Sequence, residues 1–252
     1  PLLLACLAPL FSHGAETPLS DKLVLELTFD QPGEVGSVML DADKKPIDLR
    51  GPEGSGLGAG RPLDNTAALG MGGNNKTPGA GPQLKLSKGS ELIGGAHSFT
   101  LQGWYRTEAG QAPGNYARIF ATARVTCNFD NNDGRGLSIS VNRMAGLCTD
   151  GAYRVADKWI FFAITYNGTK NTDNLLYYVG SQSEPVRLVA RLNLPSGPVS
   201  TGGSQPLTVG NLSSGDRPFD GLLDNFRLWV DKSGTGAVLS ESQLEQVRES
   251  DL

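Results

Sequence analysis

Trp159-Ile160-Phe161-Phe162-Ala163-Ile164-Thr165-Tyr166-Asn167-Gly168 is the stretch whose reading decides the fold. Both of its parities are apolar, with Trp159, Phe161 and Ala163 on one and Ile160, Phe162 and Ile164 on the other. Successive strand side chains point to opposite faces, so this strand is covered on both sides and central in its sheet. At least one sheet therefore carries something over its outer face, either long loops or a second layer. Two companions flank it in the chain, Ser98-Phe99-Thr100-Leu101-Gln102-Gly103-Trp104-Tyr105 and Phe219-Asp220-Gly221-Leu222-Leu223-Asp224-Asn225-Phe226-Arg227-Leu228-Trp229. The three stretches hold all three Trp of the chain. In the first companion, Phe99, Leu101 and Tyr105 share one face with Gly103, while Ser98, Thr100, Gln102 and Trp104 share the other.

Outward from these, Leu23-Val24-Leu25-Glu26-Leu27-Thr28-Phe29 alternates apolar with polar, as a half-buried strand does. Further strands are predicted over 117–124, 136–141, 147–153, 174–180, 186–192 and 206–210, with short ones near 46–50, 67–71 and 83–86. Asn131-Asn132-Asp133-Gly134 marks a hairpin tip. Residues 31–96 are loop-rich. Ser240 with Gln243 forms a capping box, and Leu244 and Val247 give one short helix an apolar face. That helix is expected across one end of a sandwich. With 33 Gly and 15 Pro, many short strands joined by tight turns are favoured over helices. No repeat or linker divides the chain, so residues 16–252 read as one all-β domain.

Residues 1–15 read as the remnant of a signal peptide. The apolar run from Leu2 to Phe11 is too short to span a bilayer, and Ser12, Gly14 and Ala15 supply small residues for cleavage. A buried N-terminal strand or helix is the alternative. The mature chain then has no transmembrane segment and is secreted or held at the cell surface. Two cysteines remain, Cys127 and Cys148, and an even count in an exported chain reads as a disulfide. A formal net charge of −4 without a basic cluster gives no footprint for nucleic acid.

At these residues the chain resembles the LamG-like jelly-roll family of the concanavalin A-like lectin/glucanase superfamily. The matching pieces, in order, are Leu27-Thr28-Phe29-Asp30, Arg61-Pro62-Leu63-Asp64, the stretches at 98–104 and 159–168, Val209-Gly210-Asn211, the stretch at 218–229, and Leu239-Ser240. They cover nearly all of residues 20–250. The resemblance implies an all-β, two-sheet antiparallel jelly-roll sandwich with one short C-terminal helix, its first and last strands paired. It also implies recognition of carbohydrate or protein ligands, often supported by calcium. Two departures stand out: Asn167 occupies a position where many relatives carry Asp, and 31–96 matches poorly.

If 23–29 lies antiparallel to 222–230, Asp30 falls beside Asp220 and Asp224. Asp224 shares parity with Phe226 and Leu228, so its carboxylate points toward the apolar side and needs a partner. Calcium is one candidate partner; backbone N–H groups or Arg227 are the other. For a ligand, Trp104 on the polar parity of its strand could form a sugar-stacking platform with Tyr116, Arg118 and Tyr153; alternatively, Trp104 packs under a loop from 31–96. No strand carries acids at glucanase spacing, there is no Gly-x-Ser-x-Gly elbow, and His97 is the one His outside residues 1–15. Three sequons begin at Asn75, Asn167 and Asn211. The expectation is an exported, non-catalytic module for polysaccharide or cell-surface glycan, with a protein-binding adhesion or scaffold role as the alternative and a polysaccharide-active enzyme behind both.

Overall fold

The computed structural model describes residues 19–29, 37–40, 43–45, 56–59, 67–70, 84–86, 89–107, 116–130, 136–203, 205–219 and 221–252. The strands in the first part are β1 (Leu23–Leu27), β2 (Ser37–Leu40), β3 (Asp43–Lys45), β4 (Gly56–Ala59), β5 (Ala67–Gly70) and β6 (Leu84–Leu86). A one-turn helix α1 (Ser90–Ile93) precedes β7 (Ser98–Thr107), β8 (Arg118–Ala121), β9 (Val125–Asp130), β10 (Gly136–Val141) and β11 (Met144–Cys148). After a 3-10 turn at Gly151–Arg154 come β12 (Ile160–Asn167), β13 (Leu175–Ser181), β14 (Arg187–Leu192), β15 (Leu207–Val209), β16 (Gly221–Asp231) and helix α2 (Glu241–Ser250).

These strands form two antiparallel sheets. The larger runs β14-β13-β12-β7-β16-β1-β2-β3, with β5 also on β16 and β4 on β5; the smaller runs β11-β10-β9-β8-β15-β6. First and last strands pair as expected, Glu26 opposite Arg227 and Leu27 opposite Phe226. Between the sheets lies an aromatic core, in which Phe120 of β8 stacks on Phe226 of β16 at 5.9 Å and Tyr105 meets Phe129 edge-on at 5.1 Å. Gly103 is required here, because a Cβ would lie 2.9 Å from the Phe226 ring and 3.0 Å from Phe162.

The second layer over the large sheet is the chain's own C-terminal part. Trp104, Trp159, Phe161, Ala163 and Trp229 pack on its outer face under Ala237, Leu239, Leu244 and Val247. The segment 232–240 is stitched down by hydroxyls of β7: Ser98 Oγ donates to Gly234 O at 2.8 Å and Thr100 Oγ1 to Ala237 O at 2.6 Å. Helix α2 is capped as predicted, Gln243 N donating to Ser240 Oγ and Ser240 N to Gln243 Oε1. It lies over this face rather than across the sandwich end, and Glu245 Oε2 accepts from Val186 N at 2.7 Å.

Asp231 closes β16 with a 7% exposed carboxylate. Burial pushes its pKa up, but hydrogen bonds from Ser233 N, Ser233 Oγ and Gly236 N, with Lys22 nearby, outweigh this and bring it down to about 2. A carboxyl that holds its proton less tightly when folded stabilises the fold above about pH 4 and loses that contribution as pH falls toward 2. The share is roughly 2 kcal/mol. Urea unfolding between pH 5 and pH 2.5 is expected to show Asp231→Asn with a shallower acid slope than the parent; equal slopes would exclude this carboxylate.

Candidate functional site

The anticipated disulfide is absent: Cys127 and Cys148 are both free and buried. β10 lies between their strands, Cys127 being opposite Ile139 and Cys148 opposite Leu137. Two strand spacings give roughly 10 Å, beyond the ~7 Å that a disulfide tolerates between Cα atoms. Burial raises both thiol pKa values, so neither is a ready nucleophile.

Two of the four proposed ligand residues are core. Trp104 is fully buried on the covered face of the large sheet, its Nε1–H donating to Asp251 Oδ2 at 2.8 Å. Its strand is polar there because Ser98 and Thr100 anchor the overlying chain, not because the face is open. Tyr153 is also fully buried, donating through its hydroxyl to Tyr178 O at 2.7 Å.

The metal reading changes as well. Asp30 and Asp220 lie outside the described residues. Asp224 is buried but does not face the inter-sheet core. It pairs with Trp104, after which β16 resumes with Arg227 opposite Gln102, one residue having been inserted. Asn225 takes φ 41° in this bulge and donates its N–H to Asp224 Oδ1 at 2.8 Å. The extra residue shifts the parity, turning Phe226 inward and leaving Asp224 on the covered side with Trp104. Among the described residues no three His, Cys, Asp or Glu side chains converge as a metal site.

Tyr116 and Arg118 do come together, at the outer face of the small sheet, where Arg118 is partly exposed. That face is polar because the inward parity is apolar: Phe120, Cys127, Phe129, Leu137 and Ile139 are core, which leaves Arg118, Asn128 and Ser138 in one outward cross-strand row. A bulge at Ile119 sets this aim, two residues of β8 facing one of β9. Tyr116 enters β8 in a left-handed conformation, φ 55°, and its carbonyl accepts from Arg118 Nη1 at 3.3 Å. Arg217, which the sequence alone did not single out, sits with Cζ 5.4 Å from the Tyr116 ring centroid, a cation–π contact. Arg118 N donates to Arg217 O at 3.0 Å, docking that loop on β8. The Arg118 Nε is buried without an acceptor. Burial, reinforced by the neighbouring charge of Arg217, lowers the guanidinium's pKa. Neither arginine is in an ion pair among the described residues. The corner thus presents two guanidinium groups without an ion pair among the described residues and a phenol ring, while Asn128 and Ser138 are buried and donate to Phe129 O and Gly146 O.

The Laminin_G_3 family profile, of the concanavalin A-like lectin/glucanases superfamily, matches residues 78–233, more than half of the chain. The chain belongs to this superfamily. The match is narrower than the resemblance read along residues 20–250. It leaves out β1 and α2, although β1 completes the sheet beside β16. Among solved structures of this architecture, domain 4 of AbnA, a GH43 extracellular arabinanase from Geobacillus stearothermophilus in complex with arabinotriose, is similar at 15% identity. The TM-score is 0.56, with 90% of this chain and 98% of that one covered. The heptameric SAP-like pentraxin of Limulus polyphemus aligns at 13% identity and TM-score 0.49 over 72% of this chain and 81% of that one. The CBM40 of a Ruminococcus gnavus IT-sialidase, bound to α2,3 sialyllactose, aligns at 16% identity and TM-score 0.41, over 70% and 95%. No curated protein matches the sequence.

As a sequon, Asn167 and Asn211 serve this superfamily fold differently. Both are buried, with side-chain oxygens accepting from Thr169 N and from Leu212 N and Arg217 N respectively. They are turn-forming residues. Asn75 lies outside the described residues.

Proposed function

We propose that this superfamily member is an exported, non-catalytic carbohydrate-recognition domain that holds glycan at the Tyr116–Arg118–Arg217 corner. The observation that carries the reading is the half-buried Arg118 guanidinium, whose Nε–H has no acceptor, beside Arg217, which is in no ion pair among the described residues. Sugars present dense acceptor oxygens, and a buried donor gains most from them. Among the described residues Met144 is the one large exposed hydrophobic, and they form no apolar patch of the kind that a protein-docking face presents. No described helix is long and apolar enough to cross a membrane. Calcium enters the proposal only through Asp30 and Asp220, which lie outside the described residues.

A glycan array, followed by calorimetry on its hits with arabinotriose and α2,3-sialyllactose included, tests the reading. Arg118→Ala is expected to weaken the best ligand roughly 10–100-fold, the worth of a hydrogen bond to a charged group. Running the titration with calcium and with EDTA reads the metal part separately. An array without a single retained glycan, or an affinity indifferent to Arg118→Ala, rejects the corner.

A further inference from the structure

At one end of the large sheet the strands β7, β12 and β13 finish beside one another, Ile160 pairing with Tyr105 on one side and Ser181 on the other. A cleft of about 380 Å³ opens there, lined by Arg106, Asp157, Lys158, Trp159, Gln182 and Ser183 among others. It shares Lys158, Ser181 and Ser183 with an adjoining hollow of about 430 Å³, whose floor is Ala152, Val155, Ile160 and Val179. None of these residues belongs to the Arg118 corner.

The cleft has more donors than acceptors. Of the three Trp, Trp104 donates its indole N–H to Asp251 and Trp229 donates to Leu19 O at 2.5 Å. Trp159 is 2% exposed, and its Nε1–H has no acceptor. The Gln182 Nε2 is likewise buried without one. Orphaned buried donors are rare in folded proteins and call for an explanation. The Asp157 carboxylate is taken by Arg106, Nη2 to Oδ1 at 2.6 Å. Lys158 is exposed and in no ion pair among the described residues. The local balance is therefore one cation surplus, two unused N–H donors and, next door, an aliphatic floor. Glu184 is the one acid of the adjoining hollow outside an ion pair among the described residues, which places an anionic group at the Lys158–Trp159 end and the body of the ligand over the floor.

We infer that this cleft is a second ligand subsite that takes the carboxylate of an acidic sugar, a uronate, against Lys158, Trp159 and Gln182. The sugar class rests on the glycan reading above; the carboxylate rests on the cleft alone. Full-length protein carrying ¹⁵N-indole label gives one signal per Trp, and Trp159→Phe assigns the relevant one. Titration with sodium glucuronate is expected to move the Trp159 signal saturably and leave the other two in place. Glucose, lacking the charge, is expected to act at least tenfold more weakly. Lys158→Met is expected to weaken the glucuronate response at least tenfold. A Trp159 signal unmoved by glucuronate, or one moved equally by glucose, overturns the subsite. Acetate acting as strongly as glucuronate overturns the sugar assignment. Because the corner is read by Arg118→Ala on the array and the cleft by one indole signal, the failure of either is visible independently of the other.

Discussion

Arg227→Ala lowers the melting temperature by about 6–20 °C, the second largest structural loss being that of Tyr177 below. The guanidinium is 12% exposed and lies between Asp251, 1% exposed and 2.8 Å away, and Glu26, also at 2.8 Å. Burial alone would pull its pKa down; the two carboxylates push it above its ordinary value, so it stays charged. Asp251 also accepts the Trp104 indole N–H, making the trio the polar seam under the end of α2. Deleting the cation strips Asp251 of its countercharge where water cannot replace it. Removing one partner of a buried pair costs about 3–5 kcal/mol, and each kcal/mol is worth about 2–4 °C in a domain of this size. Arg227→Met with Asp251→Asn is expected to recover much of the loss, since both charges then leave together. A single substitution that melts within 2 °C of the parent would show that the seam contributes nothing measurable.

Tyr177→Phe is expected to cost about 2–5 kcal/mol, far more than a hydroxyl at the surface. Tyr177 belongs to β13 of the large sheet, yet its hydroxyl reaches across the core into the ladder of the small one. Ile139 N donates to it at 3.0 Å, and it donates to Gly146 O at 2.5 Å. Ile139 and Gly146 are directly paired residues of β10 and β11, so the phenol stands where a ladder bond would be. Burial raises its pKa well above the ordinary range, which keeps the proton that it must donate. Phenylalanine leaves the Ile139 N–H dry and unpaired, and Gly146 O with only the longer contact from Ser138 Oγ at 3.3 Å. Urea unfolding measures the loss, and hydrogen exchange of the Ile139 amide is expected to accelerate with it. Unchanged Ile139 protection with a loss under about 0.5 kcal/mol would mean that the strands simply close up.

The architecture was legible because two-sided apolar strands leave few alternatives. Trp159–Ile164 announced a covered central strand, and the covering layer is there. What covers it was not legible, since Ser98 and Thr100 look the same whether they face water or anchor a chain segment 137 residues further on. Trp104 was misplaced for that reason. Asp224 was misplaced for another, because a parity argument fails silently when Asn225 adds a residue to the strand. β9 has no counterpart among the predicted strands, because Thr122, whose Oγ1 accepts from Arg124 N and Val125 N, makes a tight reversal inside the predicted strand 117–124. The disulfide failed on a count that knows nothing of the strand between the two thiols. At the corner, Tyr116 and Arg118 were visible from their neighbours in sequence, whereas Arg217 is a loop residue about a hundred positions away and only the fold delivers it.

The strap and helix over the large sheet give the molecule a blind side. Among the described residues its central strands are sealed front and back, so they offer no face to a partner. Tethered through exposed helix positions such as Gln246 or Glu249, the domain would face outward like a hand mounted by its back. Orientation on a surface is thus written into which sheet the C-terminal chain chose to cover.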